Sequence, residues 1–359
     1  MAVHDKLFIP GPVEVSTKTW AAFSRPMIGH RSEAFRELYR SIHPRLRELF
    51  DTSQPVFLST SSAWGVMEAA IRNLVRRRVL NCMCGAFSDK WLDVSRRCGK
   101  HAEPLQVPWG THIDPAMLDE RLATGDFDAV TLIHNETSTG VMNPLAELCA
   151  VARKYPDVAL IVDTVSSFSA VKIPMDELGI DVLLTGSQKA LALPPGFSLF
   201  SVSEKALARA AEQADRGYYF DFLEFKKNQE NDMTPTTPSI AHIHALESKL
   251  DDIFTEGPQN RYERHSRTNA LVHDWVRAQG FDFFAEKGFR SPTLTCVKNN
   301  RGINVADLAQ RLRSKHHVVI DGGYGKIKGE TFRLSNMGDE TEETVSHLLA
   351  CLDDCLAAL

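Results

Sequence analysis

The sequence predicts an α/β fold whose core is a mostly parallel, mixed β-sheet. A continuous apolar run at residues 158–162 and a β-rich run at 181–184, in which Asp181 precedes three apolar residues, are typical of parallel strands buried on both faces. Both lie between segments with helical periodicity, and this alternation is characteristic of right-handed βαβ units. The two runs are followed by Asp163 and Lys189. These side chains are therefore expected at the carboxyl edge of the sheet, where open α/β sheets bind their ligands.

The composition excludes several functional classes. The chain has 359 residues, of which 43% are hydrophobic and 24% charged, as in ordinary globular proteins. Its net charge of −5 argues against general binding to nucleic acids or membrane surfaces, which requires a basic face. The seven cysteines include no Cys-x-x-Cys pair, so neither a disulfide framework nor a zinc site is expected. No signal peptide or membrane span is expected, and the predicted location is the cytoplasm.

The chain is predicted to have three parts, residues 1–15, 16–256 and 257–359. The first is an extended segment, because two prolines and a glycine at positions 10–12 oppose a helix. The second is the large α/β domain. A glycine and a proline at 257–258 mark the boundary to a smaller α+β domain, in which strands near 293–297 and 317–320 alternate with helices.

The first elements of the large domain are a helix and a strand that leads into a polar turn. The helix is predicted from Ser32, its N-cap, to about residue 50, and Pro44 is expected to break or kink it. After the next strand comes a turn of small and hydroxyl-bearing residues, 59–65, which opens a helix ending near residue 78. Free N–H groups at such a helix start favour a phosphate, and capping by Ser62 is the alternative.

The remaining strands of the large domain follow the same rhythm. The segment 79–84 is a strand, and Phe87 after it is either a core residue or a ring that covers a flat ligand. The strand at 127–133 runs into His134, for which a structural role is expected. Residues 198–203 are predicted to be the antiparallel strand of the mixed sheet.

Three segments of the second half carry distinctive patterns. Residues 234–239 form a proline-punctuated loop rich in hydroxyls, which is expected to be rigid. Arg333 lies in an apolar strand, where it is either part of a structural ion pair or a two-pronged clamp for a substrate carboxylate. The glycine-rich segment 322–329 lacks the spacings of phosphate-binding loops, so no nucleotide site is predicted there.

Lys189 and Asp163 are the candidates for chemistry. The segment around Lys189 is apolar, and residues 194–196, Pro-Pro-Gly, prevent a helix directly after it. Desolvation would lower the pKa of the amine and make it a nucleophile or base; a solvated surface lysine is the alternative. Asp163 is suited to capping a helix, holding a metal or pairing with a protonated ring nitrogen. A lysine amine with a carboxylate for a pyridine nitrogen is typical of pyridoxal-phosphate sites.

Three motifs stand in a fixed order along the chain. They are His-Asn-Glu-Thr-Ser-Thr-Gly at 134–140, Val-Asp-Thr-Val at 162–165, and Gly-Ser-Gln-Lys-Ala-Leu followed by Pro-Pro-Gly at 186–196. Together they resemble class V aminotransferases of the alanine–glyoxylate and serine–pyruvate (or serine–glyoxylate) branch, and the similarity extends from about Pro10 to about Gly338. The resemblance implies a type I pyridoxal-phosphate fold, a homodimer with shared active sites and no metal.

The resemblance also implies roles for individual residues. Lys189 would hold the cofactor, pyridoxal 5′-phosphate, as a Schiff base and move a proton at the substrate's Cα, while Asp163 would pair with the ring nitrogen. Arg333 would clamp the substrate carboxylate, and Gly11 would also contact the substrate. The other implied cofactor contacts are Ser62, Ala63, Trp64, Phe87, Thr137, Val165 and Gln188, with Thr236 of the neighbouring subunit reaching the phosphate.

These assignments predict an aminotransferase that moves an amino group from alanine, serine or aspartate to glyoxylate or pyruvate by a ping-pong cycle. One alternative is a lyase or desulfurase of the same fold, which usually has histidine where this chain has Gln188 and Phe87. Others are an aminotransferase for a donor such as 2-aminoethylphosphonate and a cofactor-binding protein without activity. Relatives often have glycine in place of Ala63 and tyrosine in place of Met233, so the substrate stays open.

Overall fold

The computed structural model describes residues 4–357. Its strands, in chain order, are β1 Lys6–Leu7, β2 Val56–Ser59, β3 Arg78–Met83, β4 His101–Gln106, β5 Ala129–Ile133, β6 Asn135–Glu136, β7 Val141–Met142, β8 Ala159–Asp163, β9 Val182–Gly186, β10 Ser198–Val202, β11 Asp282–Phe283, β12 Leu294–Lys298, β13 Val318–Val319 and β14 Thr331–Ser335. Its helices are α1 Thr17–Phe23, α2 Glu33–Phe50, α3 Ala63–Leu74, α4 Ala86–Arg97, α5 Pro115–Ala123, α6 Leu145–Ala152, α7 Met175–Leu178, α8 Glu204–Ala211, α9 Phe222–Gln229, α10 Ile240–Glu256, α11 Pro258–Ala278, α12 Val305–His316 and α13 Glu342–Leu356. A 3₁₀ turn spans Gly325–Ile327.

Seven of the described strands form the central sheet, in the order β2-β10-β9-β8-β5-β3-β4. Neighbours from β9 to β4 pair in parallel, whereas β10 is antiparallel to both β2 and β9. The mixed, mostly parallel sheet is therefore confirmed, as is the antiparallel strand expected at 198–203. Every residue of β5, β8 and β9 is buried. This explains the apolar runs of β8 and β9, because strands covered on both faces have no solvent side.

Strands β8 and β9 lead the two candidate catalytic residues to one edge of this sheet. Asp163 is the last residue of β8 and pairs with Leu184 in β9. Lys189 follows the end of β9 in a compact turn, in which Ala192 N donates to Lys189 O at 2.8 Å. The carboxyl ends of neighbouring parallel strands thus place the lysine and the aspartate side by side in the fold.

The C-terminal part of the chain contains a separate antiparallel sheet, in the order β11-β12-β14. Its buried side chains, such as Val297 and Phe332, belong to their own hydrophobic cluster, which Phe8 joins from the start of the chain. Strand β1 also pairs in parallel with β13. Gly257 separates α10 from α11, and the domain boundary expected there stays a prediction.

Helix α2 rules out one of the two expectations for Pro44, a break, and leaves the kink a prediction. Ser32 caps it as expected, since its hydroxyl accepts from Phe35 N at 3.3 Å. The helix then continues through Pro44 to Phe50 as one element. Its apolar face, which includes Ile42, is buried, and this packing outweighs the single hydrogen-bond donor that a proline lacks.

The cysteines and the helix lengths agree with the composition. All seven cysteines are free thiols. Between residues 4 and 357, no helix combines the length and apolar character needed to cross a membrane.

Candidate active site

Lys189 lies in the turn after β9 with its side chain buried. Its Nζ donates to the carbonyl oxygen of Pro10, and the described residues place no carboxylate within salt-bridge distance of it. Burial, followed by the charge of Arg333, lowers the pKa of Lys189 to about 8. An amine with such a pKa is suited to nucleophilic attack and to accepting a proton near neutral pH.

The N-terminal segment packs directly on this lysine. Val13 N donates to the carbonyl of Gln188 at 3.1 Å. Gly11 has a φ of +116°, and a β-carbon added to it would lie 2.7 Å from Lys189 Cδ. Only glycine therefore allows the backbone to approach Lys189 this closely. Gly11, expected at the substrate, lies against the reactive side chain.

Asp163 is buried at the end of β8. Its Oδ1 accepts from Val165 N at 2.6 Å, and its other carboxylate oxygen receives no hydrogen bond from residues 4–357. Burial raises the pKa of Asp163 to about 7, against the opposing effects of the Val165 N–H and of Lys189. A carboxylate with so few partners is suited to stabilising a cation placed beside it.

Helix α3 begins without a side-chain cap. Ser62 is its N-cap residue but makes no capping hydrogen bond, so the capping alternative is wrong. Within the described residues, the N–H groups of Ala63 and Trp64 have no acceptor. Gln188 lies beside this helix end, because its Oε1 and the β-carbon of Ala63 both border Gly186, and that Oε1 is buried without a partner. Unpaired N–H groups at a helix start favour an anion such as phosphate.

Phe87 lies in the first turn of α4, half-buried beside the reactive amine. The centroid of its ring is 5.9 Å from Lys189 Nζ. The ring of Tyr324 stacks with it, with centroids 5.1 Å apart and an interplanar angle of 21°. Phe87 therefore offers an aromatic surface next to Lys189, which suits it to pack against a flat ring.

The loop after β5 is held by the buried carboxylate of Glu136. This side chain accepts from the backbone N–H and the hydroxyl of both Ser88 and Ser138, at 2.6–3.1 Å. With so many partners, Glu136 supports the loop rather than proton transfer. Thr137 in the same loop lies with its Oγ1 2.8 Å from Ser166 Oγ, so its hydroxyl is fixed at the end of the sheet.

His134 has the structural role expected of it. Its Nδ1 is 3.0 Å from Ser167 Oγ. Burial lowers the pKa of His134 to about 4. The ring is therefore neutral at physiological pH and is held in place by its hydroxyl partner.

Arg333 extends from β14 and is buried. Its Nε donates to Asp321 Oδ1 at 2.8 Å, and its Nη1 donates to the carbonyl of Thr137 at 2.9 Å. Nη2 makes no hydrogen bond to the described residues. The structural ion pair and the clamp were alternatives on the sequence, and the geometry combines them: one side of the guanidinium is anchored, and one nitrogen is left for a ligand.

The loop 234–239 contacts the turn before α3 in its own chain. Ser239 N donates to Thr60 Oγ1 at 2.9 Å, and the carbonyl of Thr236 accepts from Thr234 Oγ1 at 2.8 Å. Thr236 was expected to reach the phosphate of the neighbouring subunit. The position of this loop offers an alternative, in which Thr236 contacts the phosphate bound by its own chain.

Three groups of this site were missed by sequence reasoning: Pro10, Asp321 and Tyr324. The contact of Pro10 is made by a backbone carbonyl, which no side-chain pattern can signal. Asp321 opens the glycine-rich segment that was set aside as lacking phosphate-loop spacing. An aspartate before two glycines is a turn signal, and Asp321 Oδ1 indeed accepts from Gly323 N at 2.8 Å.

Comparison with known proteins agrees with this geometry. Residues 13–345 match the family model described as aminotransferase class-V. The chain is 37% identical to an uncharacterized aminotransferase of Methanocaldococcus jannaschii, over 100% of this chain and 94% of the relative. It is 31% identical to a serine–glyoxylate aminotransferase of Arabidopsis thaliana, over 96% and 88%. The crystal structure of an alanine–glyoxylate aminotransferase from Nostoc superposes with a TM-score of 0.94 at 29% identity, covering 99% of this chain and 96% of that one.

The chain belongs to the class V aminotransferases. It is a transaminase whose cofactor is pyridoxal 5′-phosphate, and its fold is that of the pyridoxal-phosphate-dependent aminotransferases. The recognition made from the three sequence motifs is confirmed.

The described residues fit this cofactor. Lys189 offers a buried amine without a counter-ion, and Asp163 has a carboxylate oxygen without a partner. The uncapped start of α3 offers N–H donors for a phosphate, and the unpartnered Oε1 of Gln188 beside it is a hydrogen-bond acceptor. Buried polar groups without partners are costly and rare. One ligand carrying an aldehyde, a protonated ring nitrogen and a phosphate would pair with the amine of Lys189, the free oxygen of Asp163 and the N–H groups at the start of α3.

Proposed function

We propose that this chain transfers the amino group of a small amino acid, alanine, serine or aspartate, to glyoxylate or pyruvate in two half-reactions. The observation that carries the proposal is the position of Arg333 close to Lys189. Arg333 is anchored on one side by Asp321 and Thr137, and its charge lowers the pKa of the Lys189 amine, which has no carboxylate partner. A guanidinium with one free nitrogen suits an α-carboxylate, and an amine in reach of the same molecule suits proton transfer at its Cα. The serine–glyoxylate and alanine–glyoxylate names of similar proteins support the choice of substrates.

Each proposed role follows from a contact. Arg333 binds the carboxylate of the amino acid and is oriented by Asp321 and Thr137. Lys189 takes the proton from the substrate's Cα, because burial leaves part of its amine neutral near pH 8. The carboxylate of Asp163 pairs with the ring nitrogen of the bound cofactor and keeps that nitrogen protonated. When bound, the cofactor accepts the electron pair left at Cα, which is chemistry that side chains lack.

A panel of amino donors against three acceptors tests this function. Purified holoenzyme is mixed with alanine, serine or aspartate in the absence of acceptor, and the spectrum of the bound cofactor is followed through a single turnover. The expected result is stoichiometric conversion by at least one donor, followed by recovery on adding glyoxylate or pyruvate but not 2-oxoglutarate. Continuous release of ammonia or sulfide without an acceptor would instead show the lyase or desulfurase alternative.

We also infer that the active enzyme is a homodimer in which Thr236 reaches the phosphate of the neighbouring subunit. The support is the resemblance to class V aminotransferases with shared active sites, together with the need of a phosphate for more donors than one helix start supplies. The contact of the loop 234–239 with the turn before α3 of its own chain favours the alternative instead. Mixing inactive Lys189→Ala and Thr236→Arg variants should partly restore activity, because one heterodimer site then carries neither lesion. No recovery after demonstrated subunit exchange would show that the loop serves its own chain.

The proposed location is the cytoplasm. Seven free thiols, each with a pKa that burial raises, fit a reducing compartment. Fluorescent tagging of the chain in its source cell tests this location. Fluorescence inside a membrane-bound compartment or in the medium would contradict it.

A further inference from the structure

The turn 321–325 is tied to the carboxylate-binding arginine by one side chain. Asp321 Oδ1 accepts both from Arg333 Nε and from Gly323 N, each at 2.8 Å. The backbones of Asp321 and Arg333 are also bridged, with Arg333 N donating to Asp321 O at 2.8 Å. Gly323 has a φ of +88°, and a β-carbon there would lie 2.7 Å from Thr331 Oγ1. The turn is therefore held in one conformation relative to Arg333.

The residue that this turn presents is Tyr324. Its ring stacks on Phe87 with centroids 5.1 Å apart, and the guanidinium carbon of Arg333 lies 5.4 Å from its centroid. One aromatic side chain thus borders both the carboxylate-binding group and the ring beside Lys189. Tyr324 is still 40% exposed, so one side of its ring is open. Its hydroxyl makes no hydrogen bond to residues 4–357.

The next two residues of the turn, Gly325 and Lys326, pack against a second aromatic side chain, Trp109. A β-carbon on Gly325 would lie 3.1 Å from the ring of Trp109, and Lys326 Nζ lies 4.2 Å from the centroid of that ring. Trp109 is fixed in turn, because its Nε1 donates to Asp89 Oδ2 at 3.0 Å. The turn that carries Tyr324 is therefore packed on one side, and Tyr324 cannot move toward that side without disrupting the contacts with Trp109.

We propose that Tyr324 is a specificity-determining residue, whose ring limits the side chain of the amino donor to a small one. The inference rests on the proposed function. A donor with its carboxylate on Arg333 and its amino group near Lys189 has its Cα between these two groups. Tyr324 borders the same space, so a bulky substituent on Cα meets the ring.

The ring rather than the hydroxyl carries the discrimination. The hydroxyl has no partner that would orient it, whereas the ring is positioned by Phe87 and by the cation of Arg333. Removing a wall of a pocket changes discrimination by about 10-fold to 200-fold for each extra methylene group that the pocket then accepts. Removing only the hydroxyl leaves the wall in place.

The test compares Tyr324→Ala with Tyr324→Phe in the holoenzyme. For each, kcat/KM is measured with alanine and with leucine, using the acceptor that the wild type prefers. We expect the leucine-to-alanine ratio to rise about 10-fold or more in Tyr324→Ala, through a lower KM for leucine, and to stay within about 2-fold of the wild type in Tyr324→Phe.

Three results would overturn the inference. The first is an unchanged ratio in Tyr324→Ala with full cofactor content. The second is an equal loss with both donors, which would mean that Tyr324 only supports Arg333. The third is an equally raised ratio in Tyr324→Phe, which would assign the role to the hydroxyl. A wild type that converts no amino donor at all would refute the proposed function instead.

Discussion

Lys189 and Lys249 are both buried lysines, but their surroundings differ. Lys249 in α10 has a side chain that is 0% exposed, and it contacts the carboxylate of Asp339 and lies 3.7 Å from that of Asp252. Lys189 is 9% exposed, and its amine donates to the carbonyl of Pro10. Within the described part of the chain, no carboxylate pairs with it.

The difference separates a structural lysine from a reactive one. A buried charge that has a partner is stabilised as a charge and does little else. A buried amine without a counter-ion has a lowered pKa, as Lys189 has, and is available for a ligand. Burial alone therefore does not identify the reactive lysine, whereas the missing carboxylate does.

Replacing each lysine by alanine should give opposite results. Lys189→Ala should lower the rate of the amino-acid half-reaction by about 10³-fold or more, because the amine that moves the proton is gone. Its effect on the free energy of unfolding should be small, because the cavity destabilises the fold while removal of an unpaired buried amine stabilises it. The half-reaction followed by cofactor absorbance and unfolding followed by urea titration measure the two effects.

Lys249→Ala is the matched control. It should keep a half-reaction rate within about 10-fold of the wild type but lower the free energy of unfolding by about 2–4 kcal/mol, from the cavity and the weakened pairing of Asp339. The comparison fails if Lys249→Ala is inactive with bound cofactor, or if Lys189→Ala keeps substantial activity.

Asp163→Asn tests the second counter-ion-free group. The cofactor should still bind, but removal of the Cα proton should slow by about 10²-fold to 10³-fold, because an amide does not hold the ring nitrogen protonated. Single-turnover rates with deuterated and ordinary substrate would show whether proton removal has become the slow step. A rate close to that of the wild type would remove Asp163 from the mechanism.

Arg333→Lys should have a smaller effect. A single ammonium cannot contact Asp321, Thr137 and the substrate carboxylate together, so kcat/KM should fall about 10-fold to 100-fold for every donor. Steady-state kinetics with two donors of different size would check this. If kcat/KM is unchanged for every donor tested, Arg333 is structural only.

The smallest expected effect is a pH dependence of stability in the cofactor-free protein. The pKa of Asp163 is about 7 when folded and about 3.9 when unfolded, so the folded state binds the proton more tightly. Stability is therefore highest below the unfolded pKa and falls by a few kcal/mol as the pH rises from about 4 to 7. Urea unfolding of wild type and Asp163→Asn should show a steeper fall in the wild type. Parallel curves would contradict the raised pKa.

The sequence predicted those parts of the site that depend on local patterns. Strands β8 and β9 carry unbroken apolar runs because both faces are buried, so Asp163 and Lys189 could be placed at the sheet edge from sequence. The turn before α3 was recognised from its small, hydroxyl-bearing residues. Of the two effects expected at Pro44, the break does not occur, because packing of α2 outweighs the missing donor.

What the sequence could not show are contacts between distant segments. The packing of Gly11 on Lys189 and the hydrogen bond from Arg333 to Asp321 depend on how separate segments fold together. In the sequence, Tyr324 looks like an ordinary exposed tyrosine in a glycine-rich turn. In the structure, its ring stacks on Phe87. Such pairings leave no periodic pattern in a single sequence, so only the folded structure reveals them.

Borohydride reduction of the holoenzyme, followed by peptide mapping, tests the central claim most directly. Reduction fixes the cofactor to the amine that holds it. The cofactor should be found on the peptide that contains Lys189, in a ratio near one per chain, and not on the peptide that contains Lys249. Cofactor fixed mainly to Lys249 or to any other lysine would contradict the account.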